Sequence, residues 1–208
     1  METKPKRHRF LRFSLRATLL VLTVFSAWLG VQVNRANNQR SVVGWLTENG
    51  GGEHYDWELD RDGQPSGKPK PPGPAWLREQ IGDEYFQSVV GVDAHAAEVH
   101  DLSPLSKLNE LKFLHLGGTQ VNDLSPLANL SNLEWLSLAE TQINDLSPLA
   151  KLSNLKRLHL DGTQISNLAP LASLTRLEYL RIERTLVTDE EVRDLQKALS
   201  NCEISRSQ

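Results

Sequence analysis

From Val89 onward the apolar positions of this chain recur with a step of 22 residues. Leu102, Leu124 and Leu146 each open an LSPL quartet, and Leu168 opens LAPL. Leu111, Leu133, Leu155 and Leu177 keep the same step, as do Leu114, Leu136, Leu158 and Leu180. Val99, Val121, Ile143, Ile165 and Val187 make a further ladder. The step extends backward, with Val89, Val92 and Ala94 in the slots of Leu111, Leu114 and Leu116. The unit reads LxxLxLxxTx[VI]xDLSPLxxLxx. A fixed period of this size marks a stacked-repeat architecture, in which each unit is one supersecondary element.

Within a unit the LxL alternation over 111–116 predicts a short strand with Leu114 and Leu116 pointing inward. Thr119, Thr141, Thr163 and Thr185 follow the strands, where a small hydroxyl can bond the backbone of a neighbouring coil. Ser125 is a candidate N-cap, and Pro126 suits a first helical position, where no N–H is needed. Leu127 and Leu130 then close the core from the convex side. One unit cannot bury enough apolar surface to offset the entropy of ordering 22 residues, so the units must stack and both ends must be capped. At the C-terminus Thr188-Asp189-Glu190-Glu191 is a capping box, followed by a Val192, Leu195 and Leu199 stripe on a true helix. The N-terminal cap is expected over residues 75–88, with or without a short strand at 53–59.

Upstream the pattern changes. Residues 17–33 read ATLLVLTVFSAWLGVQV, and no charge falls before Arg35. A helix of that length spans roughly 27 Å, just enough for a hydrocarbon core. Trp28 lies toward its far end, where an indole suits the interface. Residues 1–16 hold six of the 23 Lys and Arg but one of the 26 Asp and Glu. The positive-inside rule then puts the N-terminus in the cytoplasm and the repeats outside. A cleaved signal peptide is the first alternative, although no A-x-A site follows the apolar run. A buried core helix is the second, but nothing else in the chain is apolar enough to surround it. Residues 35–49 can prolong the helix as a stalk, with Val42, Val43, Trp45 and Leu46 as an apolar patch, until Gly50-Gly51-Gly52 stops it. HYDWELD alternates, placing Tyr55, Trp57 and Leu59 on one face of a strand. Residues 63–74 are rich in Pro and Gly and read as a loop.

Seven segments result: a basic cytoplasmic tail (1–16), a transmembrane signal-anchor helix (17–34), a stalk helix and short strand (35–60) and a Pro/Gly-rich linker (61–74). An N-terminal cap (75–88), about 4.5 repeats (89–187) and a C-terminal capping helix and tail (188–208) complete the chain.

Charge and chemistry narrow the functional classes. The body after residue 34 is acidic, which argues against nucleic acid as the main partner. The single cysteine, Cys202, excludes an intramolecular disulfide and offers no CxxC metal or redox site. The Gly50 triplet lacks the Lys and the strand-to-helix context of a phosphate loop. HExxH and GxSxG do not occur. No catalytic residue, cofactor or metal site is therefore expected.

The repeat resembles the 22-residue leucine-rich repeat of internalin-like proteins. The layout also resembles that of bacterial membrane-anchored leucine-rich-repeat proteins of no established activity, through RFSLR at 12–16, the apolar helix and PPGPAWL at 71–77. The resemblance implies a horseshoe-type α/β solenoid, with short parallel strands on the concave face and 3-10 turns on the convex face, in a cell-envelope protein. Internalins bind receptors through the concave face. This chain has fewer repeats and no cell-wall sorting signal, so that role does not carry over.

Strand residues between the inward leucines form outward columns: Gly91, Phe113, Trp135, Arg157 and Tyr179; Asp93, His115, Ser137, His159 and Arg181; His95, Gly117, Ala139, Asp161 and Glu183. A fourth column, Ala96, Gly118, Glu140, Gly162 and Arg184, lies at the strand ends. Aromatic residues with Arg are what protein hot spots use, and Arg157 can stack on Trp135. The expected partner-binding residues are Phe113, Trp135, Arg157, Tyr179, His115, His159 and Arg181. The plainer alternative is that the rings pack on one another or under the N-terminal segment. His115 and His159, two strands apart, are too far apart to share a zinc. The expected function is a non-enzymatic membrane-anchored protein that binds a protein partner at the envelope. A self-associating architectural component and a cytoplasmic-facing regulatory protein are the alternatives.

Overall fold

The computed structural model describes residues 15–56, 58 and 72–206. The basic tail before residue 15, Trp57, Leu59, most of the Pro/Gly linker and the last two residues lie outside the described part. The helix α1 runs unbroken over Leu15–Glu48. After it come β1 (Gly52–Tyr55), α2 (Ala75–Ile81), β2 (Val89–Asp93), β3 (Phe113–His115), β4 (Trp135–Ser137), β5 (Arg157–His159), β6 (Tyr179–Arg181), α3 (Asp189–Ala198) and β7 (Glu203–Ser205). The seven strands form one sheet in chain order. β1 pairs antiparallel with β2, and every later pair is parallel.

The 22-residue step is the register of the sheet. Leu114, Leu136 and Leu158 are direct partners, and Leu158 then meets Leu180. In one coil Leu111, Leu114, Leu116, Val121, Leu124, Leu127 and Leu130 are all essentially inaccessible. Stacked coils make one continuous core from Val42 to Cys202. On the convex side each LSPL forms a 3-10 turn with its Pro in the first turn. The cap differs from the expected Ser125. Ser125 lies inside the turn, and Asp123 two residues earlier accepts its backbone N–H at 2.8 Å. Asp101, Asp145 and Asn167 do the same in the other coils. These Ser hydrogen bonds hold the Asp101, Asp123 and Asp145 carboxyls below their ordinary value.

Polar ladders close the coils. The Thr119 hydroxyl donates to Leu116 O at 2.7 Å, so it locks its own coil rather than its neighbour. Thr141, Thr163 and Thr185 repeat that bond. Neighbouring coils are joined elsewhere: the Asn132 amide donates to Asn109 O, and Asn154 to Ser131 O, at 2.8 and 2.7 Å.

The fourth column proves to be a corner of the backbone. Ala96, Gly118, Glu140, Gly162 and Arg184 all have positive φ, between 54° and 72°. Each of the first four also donates its N–H to the next coil, as Gly118 does to Ala139 O at 2.8 Å. The corner requires the left-handed region, which favours glycine, yet three of its five residues carry a Cβ.

Both ends of the core are covered. At the C-terminus Thr188 and Glu191 form the capping box of α3. Leu195, Leu199 and Cys202 are buried, and β7 adds a last parallel strand. Burial pushes the Cys202 thiol up to about 11, so it stays protonated and unreactive. At the N-terminus the cover comes chiefly from the second half of α1, the segment read as a stalk. Val42 and Leu46 are fully buried, and Ala36 nearly so. The buried Gln39 side chain accepts from Val89 N–H at 2.6 Å and donates to Gln87 O at 3.3 Å. Arg40 pairs with Glu84 of the 3-10 turn Asp83–Tyr85, which lies within the segment expected to be the cap. β1 takes in Tyr55 of the expected alternation, whereas Trp57 and Leu59 lie outside the described residues. The first half of α1 is different in kind. Leu20, Val21, Val24, Phe25 and Trp28 are exposed, and the helix is long and apolar enough to cross a membrane.

Two substitutions test this architecture through thermal or denaturant unfolding in detergent. Gln39→Met leaves the buried Val89 N–H without its acceptor and should cost about 1–3 kcal/mol. Gly118→Ala keeps every neighbour at 3.7 Å or more from the added methyl, so it isolates the backbone. It should cost about 1 kcal/mol, while Ala96→Gly at the equivalent corner should be neutral or stabilising.

Candidate interaction face of the repeat domain

The outward columns stand in register. Gly91, Phe113, Trp135, Arg157 and Tyr179 are successive partners, as are Asp93, His115, Ser137, His159 and Arg181. All seven candidate residues therefore lie on one face. Phe113, His115, Trp135, His159, Tyr179 and Arg181 are half-buried, whereas Arg157 is exposed.

The rings are organised differently from the columns. His95 stacks on His115 with centroids 4.8 Å apart. His115 meets Trp135 edge-on at 5.5 Å, Trp135 meets His159 at 5.7 Å, and His159 meets Tyr179 at 5.7 Å. One ladder thus zigzags across three columns, from the turn after β2 through the four strands β3 to β6. Side chains lean along the strand as they rise from the sheet, so the nearest ring is diagonal rather than level. Arg157 does not take the expected place on Trp135; the imidazoles of His115 and His159 flank that indole. Phe113 stands outside the ladder. His95, absent from the sequence-level candidates, ends it; its place in the third column gave no hint of this.

Charge on the face is mostly paired. The Arg181 Nε lies 3.1 Å from Asp161 and 3.5 Å from Glu183. Asp161, expected to face outward, is buried, because its carboxylate also accepts the Glu183 N–H at 3.1 Å. Asp93 lies 3.5 Å from His115 Nδ1. At one edge of this face the exposed Glu140 and Arg184 pair across the corner. Arg157 has no ion pair among the described residues. Among those residues no three His, Cys, Asp or Glu converge as a metal site.

Burial sets the protonation of His115 and His159. Desolvation lowers the pKa of His115 below 6.5, against the opposing pull of Asp93 and with a smaller push from His95. Desolvation also lowers His159, opposed by Asp161 and reinforced by Arg181. Both imidazoles are therefore neutral at pH 7, which suits ring packing in a half-dry setting.

A family model described as Leucine Rich repeats (2 copies) matches residues 131–173. The solved structure of internalin C2 from Listeria monocytogenes is similar at 37% identity, with a TM-score of 0.50. The match covers 53% of this chain and 48% of that one, so this chain spans about half its length. The repeat domain folds as a leucine-rich-repeat solenoid and resembles that of internalin C2. A leucine-rich-repeat protein of Leptospira interrogans is also similar, at 29% identity over 52% of this chain and 29% of that one, with a TM-score of 0.49. Internalin F of Listeria monocytogenes shows 21% identity over 64% of this chain and 48% of its own, with a TM-score of 0.48. No curated protein sequence matches the chain.

The neutral imidazoles can be checked by NMR titration. His115 and His159 should titrate below 6.5. Asp93→Asn should lower His115 further, because it removes the carboxylate that favours the imidazolium. The folded state binds fewer protons at these sites than the unfolded chain. Their contribution to stability is thus full above pH 6.5 and is lost as pH falls through the lowered values.

Proposed function

We propose that this chain is a non-enzymatic, membrane-anchored interaction protein. Its apolar helix holds the leucine-rich-repeat domain on the extracytoplasmic side, and the concave face of that domain captures a protein partner. The contact residues are Phe113, Trp135, Arg157 and Tyr179, with His115, His159 and Arg181 beside them. The observation that carries this reading is the ring ladder beside an exposed Arg157 that has no ion pair among the described residues. The ladder is a rigid, half-desolvated platform whose ordering cost folding has already met, and the free guanidinium seeks an acceptor. Together they have the composition of an interface hot spot.

The face is small. The five strands β2 to β6, with about three outward residues each, give ~15 contacts, against ~20–30 per side in a standard interface. The partner is accordingly a peptide-like segment or a weakly held protein. Charge complementarity suggests that the captured segment carries a carboxylate for Arg157 next to apolar side chains.

The anchor reading rests on the exposed apolar half of α1 and the cations that precede it. Its orientation is tested by protease treatment of intact spheroplasts, where the repeat domain should be cleaved; protection would reverse the topology. Partner capture is tested by cross-linking in native membranes. Trp135→Ala should lose capture by on the order of 30-fold with unchanged thermal stability, as for a hot spot worth about 2 kcal/mol. Unchanged capture would exclude this face, and a homo-oligomer cross-linked through it would favour the architectural alternative.

A further inference from the structure

A cavity of about 180 Å³ lies between α1 and the first coils of the solenoid. It is far larger than the ~10–15 Å³ that one water requires. The helix contributes Asn34, Arg35 and Asn38 to its wall; Lys107 at the end of the first LSPL turn and Asn109 and Glu110 in the loop after it complete it. Two cations thus face one carboxylate, and amide groups supply further donors. Neither Arg35 nor Lys107 has an ion pair among the described residues. The Arg35 Nε is closed off from solvent and has no acceptor. A buried guanidinium N–H without an acceptor is costly, and the fork geometry of Arg matches a phosphate oxygen pair.

Depth decides which phosphate this is. Val31 lines the same cavity, and Arg35 stands ~6 Å further along the helix axis. The uncharged run ends at Asn34, one residue before Arg35. With the helix across a bilayer, Arg35 lies at the level of the head groups, which occupy roughly 5–7 Å on each side of the hydrocarbon core. Lys107 reaches the same level from the solenoid.

We propose that this cavity binds the phosphate of an anionic phospholipid head group. Arg35 and Lys107 hold the phosphate oxygens, and Asn34, Asn38 and Asn109 donate to the remaining acceptors. The net positive charge of the wall favours a lipid with net negative charge over a zwitterionic one. The bound lipid would fix the solenoid against the membrane surface. The lipid assignment rests on the anchor reading above; the phosphate assignment does not.

The experiment uses the full chain in nanodiscs of phosphatidylcholine doped with phosphatidylglycerol. Lipid retained after transfer to detergent is read by native mass spectrometry. The wild type should retain one phosphatidylglycerol in preference to phosphatidylcholine. Arg35→Gln and Lys107→Gln should each reduce retention about fivefold. Glu110→Gln removes the opposing carboxylate and should increase retention, a gain that misfolding cannot mimic. Equal retention of both lipids, or no response to all three substitutions, overturns the proposal. Alkaline carbonate extraction of native membranes tests the anchor separately. If the chain is extracted, the anchor reading fails, and inorganic phosphate becomes the probe. A rise in the melting temperature with phosphate, absent in Arg35→Gln, then supports a free-phosphate site. No rise overturns the cavity as a phosphate site.

Discussion

The structure depends on covering the first coil of the stack. A solenoid buries each coil against its neighbours, so the interior coils are secured by repetition and the two ends are not. Here the N-terminal end is covered by a helix that also carries the exposed apolar segment. Val42 and Leu46 fill the open end of the core, and Gln39 satisfies the leading N–H of β2. That helix is not interrupted anywhere between Leu15 and Glu48. The apolar segment and the solenoid are therefore joined through a packed interface rather than a tether. A membrane-anchored solenoid of this construction would present its interaction face at a set height and direction. The cavity beside Arg35 lies in the angle that this arrangement creates.

The repeats were legible because periodicity fixes burial slot by slot. A single period of 22 determined which leucines pair across the sheet, and the capping box of α3 was equally plain in TDEE. The ends of the core were harder to read, since nothing repeats there. Val42, Val43, Trp45 and Leu46 stood out as an apolar patch on a helix, but sequence spacing cannot say which surface such a patch meets. Likewise the left-handed corner was signalled by glycine at Gly118 and Gly162 and hidden by Ala96, Glu140 and Arg184 in the other copies. Backbone hydrogen bonds from that corner to the next coil hold those residues in a conformation their side chains disfavour.

The candidate face was half legible for a related reason. Strand alternation assigns each residue to a side, so the columns of Phe113, Trp135, Arg157 and Tyr179 and of His115, His159 and Arg181 were readable in advance. Contacts within the face depend on how side chains lean, which the columns do not encode. Hence the ring ladder took in His95 and passed over Phe113, and Arg157 remained free instead of covering Trp135. Asp161 moved from the surface to a buried acceptor because a backbone N–H of the next coil needed one. On this face the local hydrogen-bonding requirements of the coil prevailed over the simple in-and-out pattern.

The most direct measurement compares the stability of residues 35–208 with that of residues 50–208. The longer fragment keeps the helical cover and the shorter one lacks it. With the cover part of the core, removal of Val42 and Leu46 alone should cost about 3–6 kcal/mol, and the Gln39 bonds add to this. The shorter fragment should then unfold at a much lower denaturant midpoint, or fail to show a cooperative transition. Equal midpoints for the two fragments would contradict the account and return this segment to the status of a free stalk.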